Sequence, residues 1–235
     1  MFPGIHSMNV IPFHQPYISR RLVCIKIELI HTDISIITLD KEHAMKNAGI
    51  FIFNDIELMD FAGPFEVFSV ANELEKYTLC NTFTFAEEID SVTSVNGLKV
   101  IPDYSFENCP DIDILIIPGG IGTVKLLDNS TVLDFILSAQ RKSEITFSVC
   151  SGARILAKLG LLDGLSYTTH HEVFDDIISL APHAIPVRGT RFVDNGKIMT
   201  SAGISAGIDL SLHVIGKLFG QSCEEKTRAY MEYGE

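Results

Sequence analysis

The chain has no apolar run that approaches the ~18 residues a membrane-spanning helix needs. No hydrophobic stretch precedes the pair Arg20-Arg21, so a secretory signal is not expected. Cysteines are few and scattered: Cys24, Cys80, Cys109, Cys150 and Cys223, an odd number with no CxxC pair. That pattern offers no zinc site and points to a reducing cytoplasm. Positive charge is scarce as well. With 18 Lys and Arg against 30 Asp and Glu, the net charge of -12 argues against nucleic acid or an anionic membrane as a primary partner. What remains is an ordinary globular chain of 235 residues, 46% hydrophobic and 20% charged, of a size for one domain.

Residues 1–44 differ from the rest. They hold three of the nine prolines and four of the eight histidines, and their charges balance (Arg20, Arg21, Lys26 and Lys41 against Glu28, Asp33, Asp40 and Glu42). The net negative charge therefore lies in 45–235. Leu22 to Leu39 has the pattern of an added strand or hairpin. Met45 leads directly into Gly49-Ile50-Phe51-Ile52-Phe53, which has the look of a first buried strand. We therefore expect residues 1–44 to be an appendage, from a start upstream of the native one or poorly ordered, and 45–235 to be the domain.

From Met45 onward the elements alternate. A strand at 48–53 precedes a helix from about Phe61 to Lys76, opened by Asp60 and Pro64. Short strands are expected at Phe83–Ala86, Val92–Val95 and Leu98–Ile101, with Asn96-Gly97 as the turn between the last two. Ile112–Ile117 is a continuous apolar run, typical of a parallel strand covered on both faces. A helix from about Thr131 to Arg141 follows, and later ones are expected at His171–Ala181 and Ser205–Phe219. Leu165–Thr169 reads as a strand, and Asp194-Asn195-Gly196 as the turn of a second hairpin between Arg191–Val193 and Ile198–Thr200. The pattern describes an α/β fold: one flavodoxin-like, doubly wound, mostly parallel sheet sandwiched by helices, with its site at the carboxyl ends of the strands.

The chain is organised around Glu144–Leu156. Ile145, Phe147 and Val149 alternate up to Cys150, then come the small residues Ser151, Gly152 and Ala153, then Ile155, Leu156 and Leu159 at helical spacing. This is strand, sharp turn, helix, with a cysteine on the turn: the thiol counterpart of a nucleophile elbow. The helix that starts there aims its free N–H groups at the sulfur. Such sites favour thiolate, with pKa values of roughly 3.5–7.5. The competing reading is a buried structural cysteine.

Three loops should meet at this edge. The loop after the first strand carries Asp60, either a carboxylate beside the thiol or only a helix N-cap. Gly119 and Gly120, in Pro118-Gly119-Gly120, form either a plain tight turn or, with the Ser151 N–H, a set of amides that stabilises an anion. His170 and His171 stand where a strand meets a helix. One of them, His170 foremost, is a candidate accessory base, or both are capping residues. Thr200 to Gly207 are small enough to wall the pocket with backbone.

DFAGPFEVF (Asp60–Phe68), IPGG (Ile117–Gly120), SVCSGA (Ser148–Ala153), TTHH (Thr168–His171) and AGISAGIDLSL (Ala202–Leu212) resemble, in this order, the motifs of the ThiJ/PfpI superfamily. That superfamily is related to the class I glutamine amidotransferases. The resemblance covers nearly all of 45–235 and none of 1–44. Within the superfamily the set looks most like the isonitrile hydratases and the amidase-like domains of AraC-type regulators.

The resemblance implies that Cys150 is the nucleophile and Asp60 its acid carboxylate, with Gly119, Gly120 and Ser151 around the substrate. Position 151 is usually Thr in those enzymes. The usual TTHW reads TTHH here, with His171 in place of an aromatic residue at the rim. A glutamate that some members use to hold the thiolate has a counterpart candidate in Glu57, but Asp60 occupies the matching motif. The implied activity is addition of water to an isonitrile through a cysteine thioimidate, giving an N-substituted formamide, with no metal or organic cofactor. A small-molecule substrate and a homodimer are expected, the latter also because Phe65, Phe68 and Val70 exceed one buried stripe. The alternatives are a non-catalytic ligand-sensing domain and another thiol activity of the superfamily, such as a glyoxalase or deglycase.

Overall fold

A computed structural model describes residues 45–234. The segment read as an appendage, with its strand or hairpin at Leu22–Leu39, lies outside them. In chain order the elements are β1 (Lys46–Phe51), α1 (Leu58–Leu74), β2 (Cys80–Ala86), β3 (Val92–Thr93), β4 (Lys99–Val100), β5 (Tyr104–Ser105) and β6 (Ile114–Ile117). Then follow α2 (Thr123–Leu126), α3 (Ser130–Lys142), β7 (Ile145–Ser148), α4 (Ala153–Lys158), β8 (Ser166–Tyr167) and α5 (Phe174–Leu180). The chain continues through β9 (Ile185–Pro186), β10 (Phe192–Asp194), β11 (Ile198–Ser201), α6 (Ala206–Phe219) and α7 (Gln221–Tyr230).

The main sheet has the order β10-β11-β7-β6-β1-β2-β5, parallel except for the β10–β11 pair. This is the doubly wound arrangement expected of a flavodoxin-like fold. β6 and β7 are buried at every residue, as the continuous apolar run Ile114–Ile117 requires of a strand covered on both faces. Both turns read from the sequence exist. Gly97, at φ 89°, closes the antiparallel β3–β4 pair, and Gly196, also at φ 89°, closes β10–β11.

Several expectations need correction. β8 is no part of the main sheet; it pairs in parallel with β9 in a separate two-stranded sheet. The short β5 and α2 were not anticipated, since two or four residues carry no periodicity. The helix expected from His171 begins only at Phe174, so His170 and His171 stand in the turn before it. α1 begins at Leu58, three residues earlier than expected, with Glu57 as N-cap. On this helix Phe68 and Val70 are buried and Phe65 is partly covered, because α1 packs against α6 and α7 as well as the sheet. The apolar excess read as a dimer face is therefore largely consumed within the chain.

Candidate active site

β7 delivers Val149 in extended conformation (φ -112°, ψ 137°), and Cys150 then turns to φ 55°. A left-handed backbone is costly for a non-glycine residue, and such residues gather at functional sites. A single 3₁₀ turn, Cys150–Gly152, joins directly to α4. The strained residue is fixed from both sides. Its N–H donates to Ala202 O at 3.1 Å, and its own carbonyl accepts from Thr169 Oγ1 at 2.7 Å. The sulfur-bearing side chain is nearly covered, 7% exposed.

Asp60 is the third residue of α1 and fully buried. It is therefore not the N-cap, which corrects the competing reading of this carboxylate. Its Oδ2 accepts the Gly119 N–H at 3.0 Å, while Oδ1 is buried with no hydrogen-bond partner. Burial pushes the carboxyl up to about 7, against smaller downward pulls from the Gly119 amide and the Cys150 thiol. Burial likewise pushes Cys150 up, to about 12, and the negative charge of Asp60 adds to the rise. The backbone N–H groups of Ile204 and Ser151 pull the sulfur the other way without prevailing. Burial and the Asp60 charge thus both work against the thiolate that the helix start led us to expect. α4 spans six residues, too little helix to offset desolvation and a carboxylate neighbour.

The glycines act differently from the expectation too. The Gly119 amide is committed to Asp60, and the Gly120 amide donates to Ser151 Oγ at 2.8 Å. They hold the two side chains rather than offering free donors to an anion. A Cβ at Gly119 would lie 2.6 Å from both N and Oγ of Ser151 and 2.8 Å from Asp60 Oδ2, so no larger residue fits. The sulfur's amide donors are Ser151 and Ile204. Ile204 lies in the stretch Thr200 to Gly207 expected to wall the pocket with backbone, and it does line it, but its role as a donor to the sulfur was not foreseen, because a backbone N–H leaves no mark in the sequence. Its one structural cue, φ 49°, is visible only after folding.

His170 makes no hydrogen bond to Cys150. Its Nδ1 accepts from the Glu172 N–H at 3.4 Å, and its ring lies 4.2 Å from that of His171. It walls a pocket of about 210 Å³ over the sulfur, along with Glu57, Ile121, Arg154, Val173 and Ile204. Arg154 is fixed by Asp176 (Nε to Oδ2, 2.7 Å) and Thr123 Oγ1 (3.1 Å). Glu57 lines this pocket, but the carboxylate whose charge acts on the Cys150 thiol is Asp60. Among the described residues Cys80, Cys109, Cys150 and Cys223 are free thiols, and no helix is long and apolar enough to cross a membrane.

The model of the DJ-1/PfpI family matches residues 46–217. The isonitrile hydratase of Pseudomonas putida is 32% identical over 185 residues, covering 79% of this chain and 77% of that one. The HTH-type transcriptional regulator GbdR of Pseudomonas aeruginosa is 27% identical over 75% of this chain, which spans only 47% of the regulator. Among solved structures, a ThiJ/PfpI family protein from Pseudomonas syringae superposes with a TM-score of 0.74 at 28% identity, covering 88% of this chain and 83% of that one.

Proposed function

The chain belongs to the DJ-1/PfpI family, and from that premise we propose that it is an isonitrile hydratase-like, cysteine-dependent hydro-lyase. One observation carries the reading: a fully buried carboxyl, Asp60, anchored by the Gly119 amide, with one oxygen free of any hydrogen-bond partner and close enough to Cys150 to act on its thiol; burial pushes this carboxyl up to about 7. A group that titrates near neutral pH is suited to take a proton and give it back.

The steps follow from that pair. The thiol proton passes to Asp60 as Sγ adds to the terminal isonitrile carbon, and Asp60 delivers it to the same carbon. One S–C and one C–H bond form, one C–N π bond is lost, and a thioimidate, R–N=CH–S–Cys150, results. Asp60, again ionised, removes a proton from water as the oxygen adds to that carbon, and the proton goes to nitrogen. Collapse of the tetrahedral centre breaks the C–S bond, returns the hydroxyl proton to sulfur through Asp60, and releases R–NH–CHO. These steps call on no metal or organic cofactor. The amides of Ser151 and Ile204 steady the sulfur while it is transiently anionic.

The test is a parallel assay of purified protein with cyclohexyl isocyanide and methylglyoxal. Formation of N-cyclohexylformamide that is lost in Cys150→Ala supports hydration. Turnover of methylglyoxal alone would replace it with a glyoxalase reading. A second reading, non-catalytic ligand sensing, is favoured by the likeness to GbdR; saturable binding of a ligand with no turnover would support it. A homodimer is part of the proposal, resting on the family resemblance, and a monomer mass by light scattering at micromolar concentration would remove it.

A further inference from the structure

Beside the pocket over Cys150 lies a larger one, about 430 Å³, that these steps leave unused. The two adjoin at His170 and Ile204, which line both. His170 is closely backed there: a Cβ on Gly203 would come within 2.5 Å of its Cδ2. The partition between the pockets is therefore a wedged ring and one backbone turn.

The walls of this second pocket contrast with the chain as a whole. In a protein of net charge -12, His170, His171 and Arg191 line it, and no Asp or Glu does. Arg191 supplies the permanent charge. Its Nε donates to Asp209 Oδ2 at 2.8 Å, and its Nη2 donates to the same oxygen, to Ser205 Oγ at 3.1 Å and to Tyr233 OH at 3.5 Å. Asp209 thus orients the guanidinium and offsets part of its charge. Nη1 makes no hydrogen bond among the described residues, so one donor edge of the fork remains for a ligand.

Sheet register sets how far that edge is from the sulfur. The Cys150 N–H donates to Ala202 O at 3.1 Å, and the Ala202 N–H to Arg191 O at 2.9 Å. The three residues stand in a row across the ends of β7, β11 and β10. Two strand spacings separate Cys150 from Arg191, roughly 10 Å between backbones.

We propose that the second pocket receives the substrate's N-substituent and that Arg191 binds a carboxylate at its far end. The substrate class is then an isonitrile that carries a carboxylate on a chain long enough to bridge the two pockets. This rests on the reading of Cys150 as the reacting centre. An anion seated on a guanidinium forms charge-assisted hydrogen bonds, which are about twice as strong as neutral ones. Lys would hold the charge without the fork.

The experiment compares kcat/KM for ω-isocyanohexanoate and its methyl ester, equal in reach and different in charge. Wild type should favour the acid by at least about tenfold, chiefly through KM. Arg191→Gln should bring the ratio close to one, and Arg191→Lys should restore part of it. Equal use of acid and ester by wild type would overturn the proposal. Calorimetry on Cys150→Ala separates this from the reaction itself, with N-formyl-ω-aminohexanoate and its methyl ester as probes. If neither isonitrile is turned over but the formyl acid binds at least about tenfold tighter than its ester, the hydration reading fails and the carboxylate pocket stands. Equal binding of the two removes the pocket. Should Arg191→Gln fail to fold, the acid-over-ester ratios of Cys150→Ala with and without Arg191→Lys decide the matter.

Discussion

The Gly119 amide donates to Oδ2 of Asp60 at 3.0 Å, while Oδ1 of the same buried carboxyl has no hydrogen-bond partner. One oxygen is anchored by backbone and the other is not, in a carboxyl whose charge pushes the Cys150 thiol up. The anchor is weaker than the desolvation it faces, so the carboxyl sits near 7 rather than near 4.

A pH dependence of rate follows. The working state has Asp60 ionised and Cys150 protonated, so kcat/KM should rise with pH through about 7 and then level off. The thiol at about 12 does not limit the accessible range. A flat profile between pH 5 and 9 would remove Asp60 from the proton path.

Stability should move in the opposite direction. The folded carboxyl binds its proton more tightly than the unfolded one, whose value is 3.8. Below that value there is no penalty. The penalty grows as pH rises from there to about 7 and is complete above it, on the order of 4 kcal/mol. Asp60→Asn removes the ionisable group, so its melting temperature should exceed that of wild type at pH 8 and approach it at pH 4. Thermal melts at the two values check this.

Ser151→Ala deletes the acceptor of the Gly120 N–H and leaves that amide buried and unpaired, costing about 1–3 kcal/mol. Activity should be weakened but measurable, because the Ser151 N–H to sulfur survives. Gly119→Ala should be worse on both counts, since its Cβ would strike the Ser151 backbone as well as its hydroxyl. Equal activities for the two variants would mean that the loop does not position Asp60.

Some of this site was legible in the sequence and some was not, for definite reasons. Cys150 announced itself because strand alternation, a run of small residues and helical spacing all change at one position. The hairpins at Asn96-Gly97 and Asn195-Gly196 were readable because a left-handed turn selects those residue types. Asp60 was placed in the right loop but given an N-cap as its competing role, because the true cap, Glu57, makes no side-chain capping bond and left no signature. The protonation states were not legible at all. A helix start predicts a low thiol pKa, whereas burial and the Asp60 charge are sums over groups distant in sequence. The Ile204 amide was invisible for the same reason that any backbone donor is. β8 was misplaced because residues 166–167 carry no sign of which sheet they join.

A chain beginning at Met45 should fold without residues 1–44, in line with their balanced charge and high proline content. Its melting temperature should stay within a few degrees of the full chain. Aggregation or loss of the transition on truncation would assign the segment to the core.

The most direct measurement is the rate at which Asp60→Asn converts cyclohexyl isocyanide to N-cyclohexylformamide, taken together with the thermal transition of the same preparation. The expected result is loss of turnover with the fold intact, because the amide keeps the carboxyl's shape but cannot carry a proton from sulfur to carbon. Near-normal hydration by Asp60→Asn would contradict the pairing of Asp60 with Cys150 and leave only the thiol.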